Sequence, residues 1–239
     1  MVREENQEEK QTKDAININV ESEASMRDLY IIGAGGFGRE VAWLVERINE
    51  IELTWNIKGF IDDNESKWGK REGDYVILGG CDYLKTLGEV YVVCAIGAAK
   101  VRKSVTEKIK ESSIKFATLI DPSVLISKKV EVGEGTIICA NSTLTVDIKI
   151  GKHVIINLDC TIGHDDIIDD FVTIYPSVNI SGNVHLGECS ELGTGMQIIQ
   201  GRTVVKNTII GAGAVVVKDI EISGTYVGSP AKKIKGECE

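Results

Sequence analysis

The chain has 239 residues, 43% of them hydrophobic and 26% charged, with a net charge of −9. That length can bury a sizeable core, and the acidic balance argues against nucleic acid or an anionic membrane as partner, since a phosphate-facing surface needs a cationic excess. No apolar run reaches the 18 or more residues that a membrane-spanning helix needs.

Residues 1–25 open with MVREENQEEKQTKD, which lacks the apolar centre of a signal peptide and reads as a mobile tail. Within it, AININV at 15–20 is a candidate edge strand, and Met26, directly after the tail, is a candidate second start site. Six cysteines (81, 94, 139, 160, 189 and 238) form no CxxC pair, so they read as reduced, mostly buried thiols of a cytoplasmic protein.

From residue 26 to about 118 the pattern predicts a small parallel α/β domain. RDLYIIGAGGFGREVAWLVERI reads as strand, glycine turn and amphipathic helix. Strands follow at 57–61, 75–78 and 90–96, then a helix at about 99–112 and a short strand at 115–119. Gly33, Gly35 and Gly38 satisfy GxGxxG between strand and helix. About 90 residues suit one mononucleotide half better than a full dinucleotide fold. The loop is therefore read as a site for a nucleotide or nucleotide-sugar, with NAD binding or a purely structural turn as alternatives. Asp62 and Asp63 end the second strand, placed either to reach a ribose or base or simply to form a solvated turn.

From 119 to 239 the pattern changes. Stepping by six from Ile120 to Ile222 meets Ile, Leu or Val at every one of eighteen positions. With such residues at roughly 0.3 of a chain, chance gives this on the order of once in 10⁹. A six-residue period fits a chain that turns a corner every six residues, three flat faces to a coil. Anchors then stack inside a prism, glycines after the anchors ease the corners, and residues 18 apart lie on successive coils.

His164 stands two residues after its anchor and should point outward, followed by Asp165 and Asp166. A carboxylate beside a histidine can fix its tautomer and stabilise the imidazolium. One coil on lies Gly182, leaving open space and an approachable N–H beside the ring, which suits a base next to an oxyanion donor. His153 and His185 do not fall in its column and read as surface residues, so no metal site is expected.

The segments YIIGAGGFGREV, GFIDD, AIGAAKVRK, IINLDCTIGHDDIIDDFVTIYPSVNISGNVHLG and YVGSPAKKIK together resemble a family of bacterial sugar acyltransferases. These include sialic acid O-acetyltransferases and N-acetyltransferases of nucleotide-linked amino sugars. The resemblance covers about 26–236 and implies a left-handed parallel β-helix behind a Rossmann-like domain, acetyl-CoA as acyl donor without a metal, and a homotrimer with sites between prisms. It also implies His164 as general base, Asp165 as its orienting acid, and the Gly182 N–H on the thioester carbonyl. Thr194 and Ala212 would line the cofactor channel, and Lys232 would meet coenzyme A phosphates or remain a solvated basic residue. Asn157, Gly35, Gly36, Asp62, Asp63 and Arg102 would serve the sugar side. The chain departs at Thr173, where some amino-sugar members carry a second histidine, and this weakens the choice between N- and O-acetylation. The expected activity is acetyl transfer to a sugar, an amine on a nucleotide-linked sugar first and the hydroxyl of a sialic-type sugar second. A nicotinamide oxidoreductase and a non-catalytic scaffold are the rival readings.

Overall fold

A computed structural model, described over residues 26–110 and 113–235, has an α/β unit followed by a three-sided parallel β-helix. The tail at 1–25, with its candidate strand, lies outside the described residues. The α/β unit runs β1 (Arg27–Ile32), α1 (Gly36–Ile51), β2 (Trp55–Ile61), β3 (Arg71–Glu72), β4 (Tyr75–Gly79), α2 (Cys81–Leu84), β5 (Val90–Cys94), α3 (Ala99–Lys108) and β6 (Ile114–Phe116). The expected elements are therefore present with ends displaced by a few residues; the third helix stops at Lys108 rather than near 112.

The sheet order is β3-β4-β2-β1-β5-β6, parallel except for the short β3–β4 hairpin. Leu29, Ile31 and Ile32 of β1 are buried because both faces of a central parallel strand are covered. The chain leaves β1 for β2 on one side and reaches β5 on the other. The crevice at the end of β1 is thus a topological switch point, where open α/β sheets bind ligands, and the glycine loop lies there. Gly33 has φ +102, and a Cβ on Gly38 would sit 1.9 Å from the Gly33 carbonyl oxygen, so these two glycines serve tight helix–strand packing. Around Gly35 a Cβ would meet nothing within 4 Å, which leaves that backbone open to a ligand.

From Leu119 the chain coils. Face A carries the strands ending at Ile120, Ile138, Ile156, Ile174, Leu192 and Ile210. Face B carries those ending at Ile126, Leu144, Ile162, Ile180, Ile198 and Val216. Face C carries those ending at Val132, Ile150, Ile168, Leu186 and Val204. Anchors from Ile138 to Val216 are buried and stack in a dry column, each worth about 1.5–3 kcal/mol of transfer free energy. The series overruns at its ends: Ile126 is exposed, and so is Ile222, whose inward place is taken by Ile220 paired to Val204.

The corners turn by a different residue from the one expected. The backbone takes φ near +60° three residues after the anchor, at Asn141, Asp147, His153, Asp159, Asp165, Phe171, Ser177, Asn183, Cys189 and Asn207. Asn and Asp are frequent there because their short polar side chains tolerate the left-handed region. The glycine directly after an anchor instead allows close approach: a Cβ on Gly163 would lie 2.4 Å from the Gly182 nitrogen.

The α/β unit sits on face A, where Leu119, Ile137 and Ile155 join the cluster of β1 and α1. Two arginines fasten the seam. Arg47 forms a fork on Asp121 at 2.6 and 3.1 Å. Arg102, 1% exposed, gives its N–H groups to the carbonyls of Ile96, Gly97, His153, Phe171 and Val172.

Candidate active site

The corner between faces B and C holds His164. Its Nδ1 lies 2.7 Å from Asp165 Oδ2, and both side chains are about half exposed, at 51% and 59%. Asp165 sits at the turning position with φ +61, which brings its carboxylate back beside the preceding ring. With Nδ1–H given to the carboxylate, Nε2 is left as the free acceptor. A Cβ on Gly182 would lie 2.6 Å from both Cε1 and Nε2 of His164, so the ring occupies the space that a side chain there would fill. Among the described residues the Gly182 N–H meets no acceptor. The arrangement can take a proton and offer an N–H to developing negative charge, as acyl transfer requires.

Directly beneath, Asp166 is 0% exposed. Its Oδ1 accepts the Val184 N–H at 2.8 Å, while Oδ2 is buried without a partner. Burial pushes this carboxyl up to about 7, against the pull of the Val184 and Gly163 N–H groups. The sequence reading gave Asp166 no role of its own, although its place four residues after an anchor, where Val154, Val172 and Val178 are buried, was a usable signal.

The other expected site residues of the prism lie elsewhere. Asn157 is at the corner between faces A and B, with Oδ1 on the Leu158 N–H at 2.7 Å, in a cleft of about 180 Å³ shared with Phe37, Glu40 and Tyr175. Thr194 and Ala212 lie further along that same corner, stacked through the Gly213 N–H on the Thr194 carbonyl at 2.9 Å. Within one chain, then, Asn157, Thr194 and Ala212 are separated from His164 and Gly182 by the width of face B, roughly 20 Å for six extended residues. Lys232 is exposed in the final strand (Lys232–Lys235) at the end of the prism. The larger hollows, of about 430 and 550 Å³, open on face C around Asp169 and include neither corner.

Thr173, the departure from the family pattern, is 1% exposed and donates from Oγ1 to the Gly97 carbonyl at 2.7 Å, so it belongs to the seam. Beside it Glu191 accepts the Ala99 N–H at 2.9 Å and the Tyr175 hydroxyl at 3.1 Å.

In the α/β unit Asp62 accepts the Ala34 N–H at 3.4 Å, close to the glycine loop, and pairs with Lys67 at 2.8 Å. Burial works against its charge, yet Lys67 and the Asn64 and Ala34 N–H groups hold its carboxyl below the ordinary value. Asp63 makes its contacts at α2 and α3 instead. Its Oδ1 takes the Cys81 N–H at the start of α2, which with Lys108 keeps its carboxyl low despite burial. Arg102 does not fit a ligand-binding role, because a guanidinium has five N–H donors and all five carbonyl contacts are internal. His153, expected on the surface, is buried: its ring stacks on Phe171 at 5.0 Å and meets the edge of Phe116 at 4.6 Å. The expectation failed because 153 is a corner residue on the side that the α/β unit covers. His185 is exposed as expected and pairs with Asp169 at 3.1 Å.

Comparison with known proteins adds an independent line. Residues 28–109 match the PglD N-terminal domain family. The chain is 30% identical over 213 residues to GDP-perosamine N-acetyltransferase of Escherichia coli O157:H7, spanning 86% of this chain and 95% of that protein. It superposes on the acetyltransferase domain of PglB from Neisseria gonorrhoeae FA1090 in complex with acetyl coenzyme A with a TM-score of 0.81, at 33% identity over 87% of this chain and 100% of that one. A histidine-to-asparagine variant of perosamine N-acetyltransferase from Caulobacter crescentus, in complex with CoA and GDP-perosamine, gives 0.78 at 28% identity over 88% and 97% of the two chains.

Proposed function

This chain belongs to the family of hexapeptide-repeat sugar acetyltransferases, and from that premise we propose that it transfers the acetyl group of acetyl-CoA to the amine of a nucleotide-linked amino sugar. The observation that carries this reading is the His164 imidazole, held by Asp165 at 2.7 Å over the bare backbone of Gly182. The sugar amine attacks the thioester carbonyl carbon while His164 Nε2 accepts its proton. The carbonyl oxygen, now negative, takes the Gly182 N–H. Collapse of the tetrahedral intermediate breaks the carbon–sulfur bond, and coenzyme A leaves as a thiolate that recovers the proton from the imidazolium. A thiol pKa of about 8.5 makes that departure easy. Amine acceptors are favoured over hydroxyls because the relatives described above are N-acetyltransferases.

Gly35, Gly36 and Asp62 would line the switch-point crevice to hold the nucleotide, and Thr194, Ala212 and Lys232 would follow the coenzyme along the prism. Because His164 and Asn157 occupy neighbouring corners, a complete site needs a second copy of the chain. Face B supports that reading: its outward column is Leu125, Thr143, Thr161, Asn179, Gln197 and Val215, without one charge. Three prisms joined along face B would set the A–B corner of one against the B–C corner of the next. Free, buried thiols and an intracellular acyl donor support a cytoplasmic setting.

His164→Ala should lower kcat by about 10²–10⁴-fold while acetyl-CoA affinity, read by calorimetry, stays near wild type. GDP- and UDP-linked amino sugars with a free-thiol readout identify the acceptor. Full activity in the alanine variant would overturn the mechanism.

A further inference from the structure

Five places in the prism and at its entry carry a side chain that reaches the carbonyl fifteen residues on. Thr118 Oγ1 donates to Gly133 O at 3.2 Å, Thr136 Oγ1 to Gly151 O at 3.0 Å and Ser142 Oγ to Asn157 O at 2.9 Å. Cys160 Sγ donates to Tyr175 O at 3.3 Å and Ser190 Oγ to Val205 O at 3.2 Å. Three of these hydroxyls also accept the N–H eighteen residues on, from Val154, Cys160 and Thr208. Each hydroxyl is thus a two-way bridge between coils, donor to one backbone group and acceptor from another.

Asp166 occupies the same position of the repeat, four residues after Ile162. It completes the accepting half of the bridge, from the Val184 N–H. The carbonyl fifteen residues on belongs to Ser181, and among the described residues that carbonyl receives no hydrogen bond. Oδ2 of Asp166 is likewise without a partner. A carboxylate can only accept, so an ionised Asp166 and a carbonyl cannot satisfy one another; with a proton between them they can. The Ser181 carbonyl and the Gly182 N–H are also two ends of one planar trans peptide and point in opposite directions. Fixing the carbonyl inward fixes the N–H outward, on the side where His164 stands.

We propose that Asp166 is held as the neutral acid, donating from Oδ2 to the Ser181 carbonyl and thereby aiming the Gly182 N–H at the acyl oxygen. It is a positioning residue, acting on the oxyanion donor through one peptide, and the proposal rests on the acetyl-transfer reading of that corner. The charged groups near it are His164 and Asp165 on its own corner. The coils on either side place Ile148 and Val184 in its column, both buried, and the Lys149 side chain lies on the exposed outer face. Burial in that company is what raises the carboxyl to about 7. The neutral acid then predominates below about pH 7 and gives way above it.

Two measurements test this, and the first needs no activity. Carbon-detected NMR of labelled aspartate carboxyls, with Asp166→Asn to assign the signal, should show Asp166 titrating near neutral pH; an ordinary midpoint of about 4 overturns the proposal. The second compares pH–rate profiles. The asparagine carboxamide keeps an acceptor for Val184 and a donor for Ser181 but does not titrate. The wild-type kcat should therefore fall relative to that of Asp166→Asn as pH rises through 7, by up to about 10²-fold, the loss seen when an oxyanion donor is removed. KM for both substrates should change little. Asp166→Val, which matches its column neighbours and whose fold is checked by thermal melting, should have low kcat at every pH. Parallel profiles for wild type and Asp166→Asn overturn the aiming role. Failure of the wild type to acetylate any amino sugar would reject the parent reading, and the carboxyl titration would still decide the state of Asp166.

Discussion

Gly182 is the residue on which the corner turns chemically, because its missing side chain is what admits the imidazole. A methyl group there would lie 2.6 Å from two ring atoms, and the ring, being exposed, would swing aside rather than the coil. Gly182→Ala should thus keep its melting temperature close to wild type and lose about 10²-fold or more in kcat, since a misplaced base and a crowded oxyanion donor act together. Steady-state kinetics beside a thermal melt separates this from simple unfolding. This pairing was visible in the sequence from the 18-residue step alone. The inward turn of Asp166 could be read from its place four residues after an anchor, but its unpartnered Oδ2 could not, because that depends on which backbone groups the neighbouring coil presents.

At the scale of elements the seam between α/β unit and prism is held by buried polar groups with little tolerance for change. Arg102 anchors α3 to three corner carbonyls of the prism, those of His153, Phe171 and Val172. The His153 ring lies between Phe116 of β6 and Phe171. Burial, with Arg102 and Lys152 nearby, lowers its pKa to about 4 against the pull of Glu134 and Asp170. The unfolded chain binds a proton at this histidine below about pH 6.5, whereas the folded chain binds one only below about 4. Stability from this group is thus complete above 6.5 and is lost as pH falls toward 4. Asp166 acts with the opposite sign over an overlapping window, since its folded form keeps a proton that the unfolded chain releases. Removing one group exposes the other. His153→Phe, at a turning position where Phe171 shows that phenylalanine is accepted, leaves Asp166 unopposed and should raise the melting temperature at pH 4 relative to that at pH 6.5, compared with wild type. An unchanged slope would mean that another group carries the acid sensitivity.

For the whole molecule the decisive feature is that Asn157, Thr194 and Ala212 occupy one corner of the prism and His164 and Gly182 another, so the proposed site would be completed across copies. The uncharged column of face B is the surface proposed to join them, with Thr161 Oγ1 already bonded to Asn179 Oδ1 at 2.8 Å along it. Asn179→Arg would place a charge in each of the joined faces, at positions near the shared axis, where like charges cannot be solvated. Light scattering should then report a smaller species, and acetyl transfer should fall with it, while the melt of the separate chain remains cooperative. An active variant of unchanged mass would remove face B as the joining surface.

The period of six was enough to give the prism, its inner column and the outward direction of His164, because each follows from local spacing repeated without interruption. The GxGxxG spacing likewise located the glycine loop and the strand–helix turn around it. Tertiary structure alone decided the rest. Which face the α/β unit covers determined that His153 is core and that Arg102 is a fastening rather than a ligand contact, since burial depends on what is laid against a surface and not on the residue's own neighbours in sequence. The placement of Asn157 and His164 on different edges was implicit in their separation of seven residues, but its meaning required a closed three-sided cross-section, where one side's width decides what a single chain can bring together.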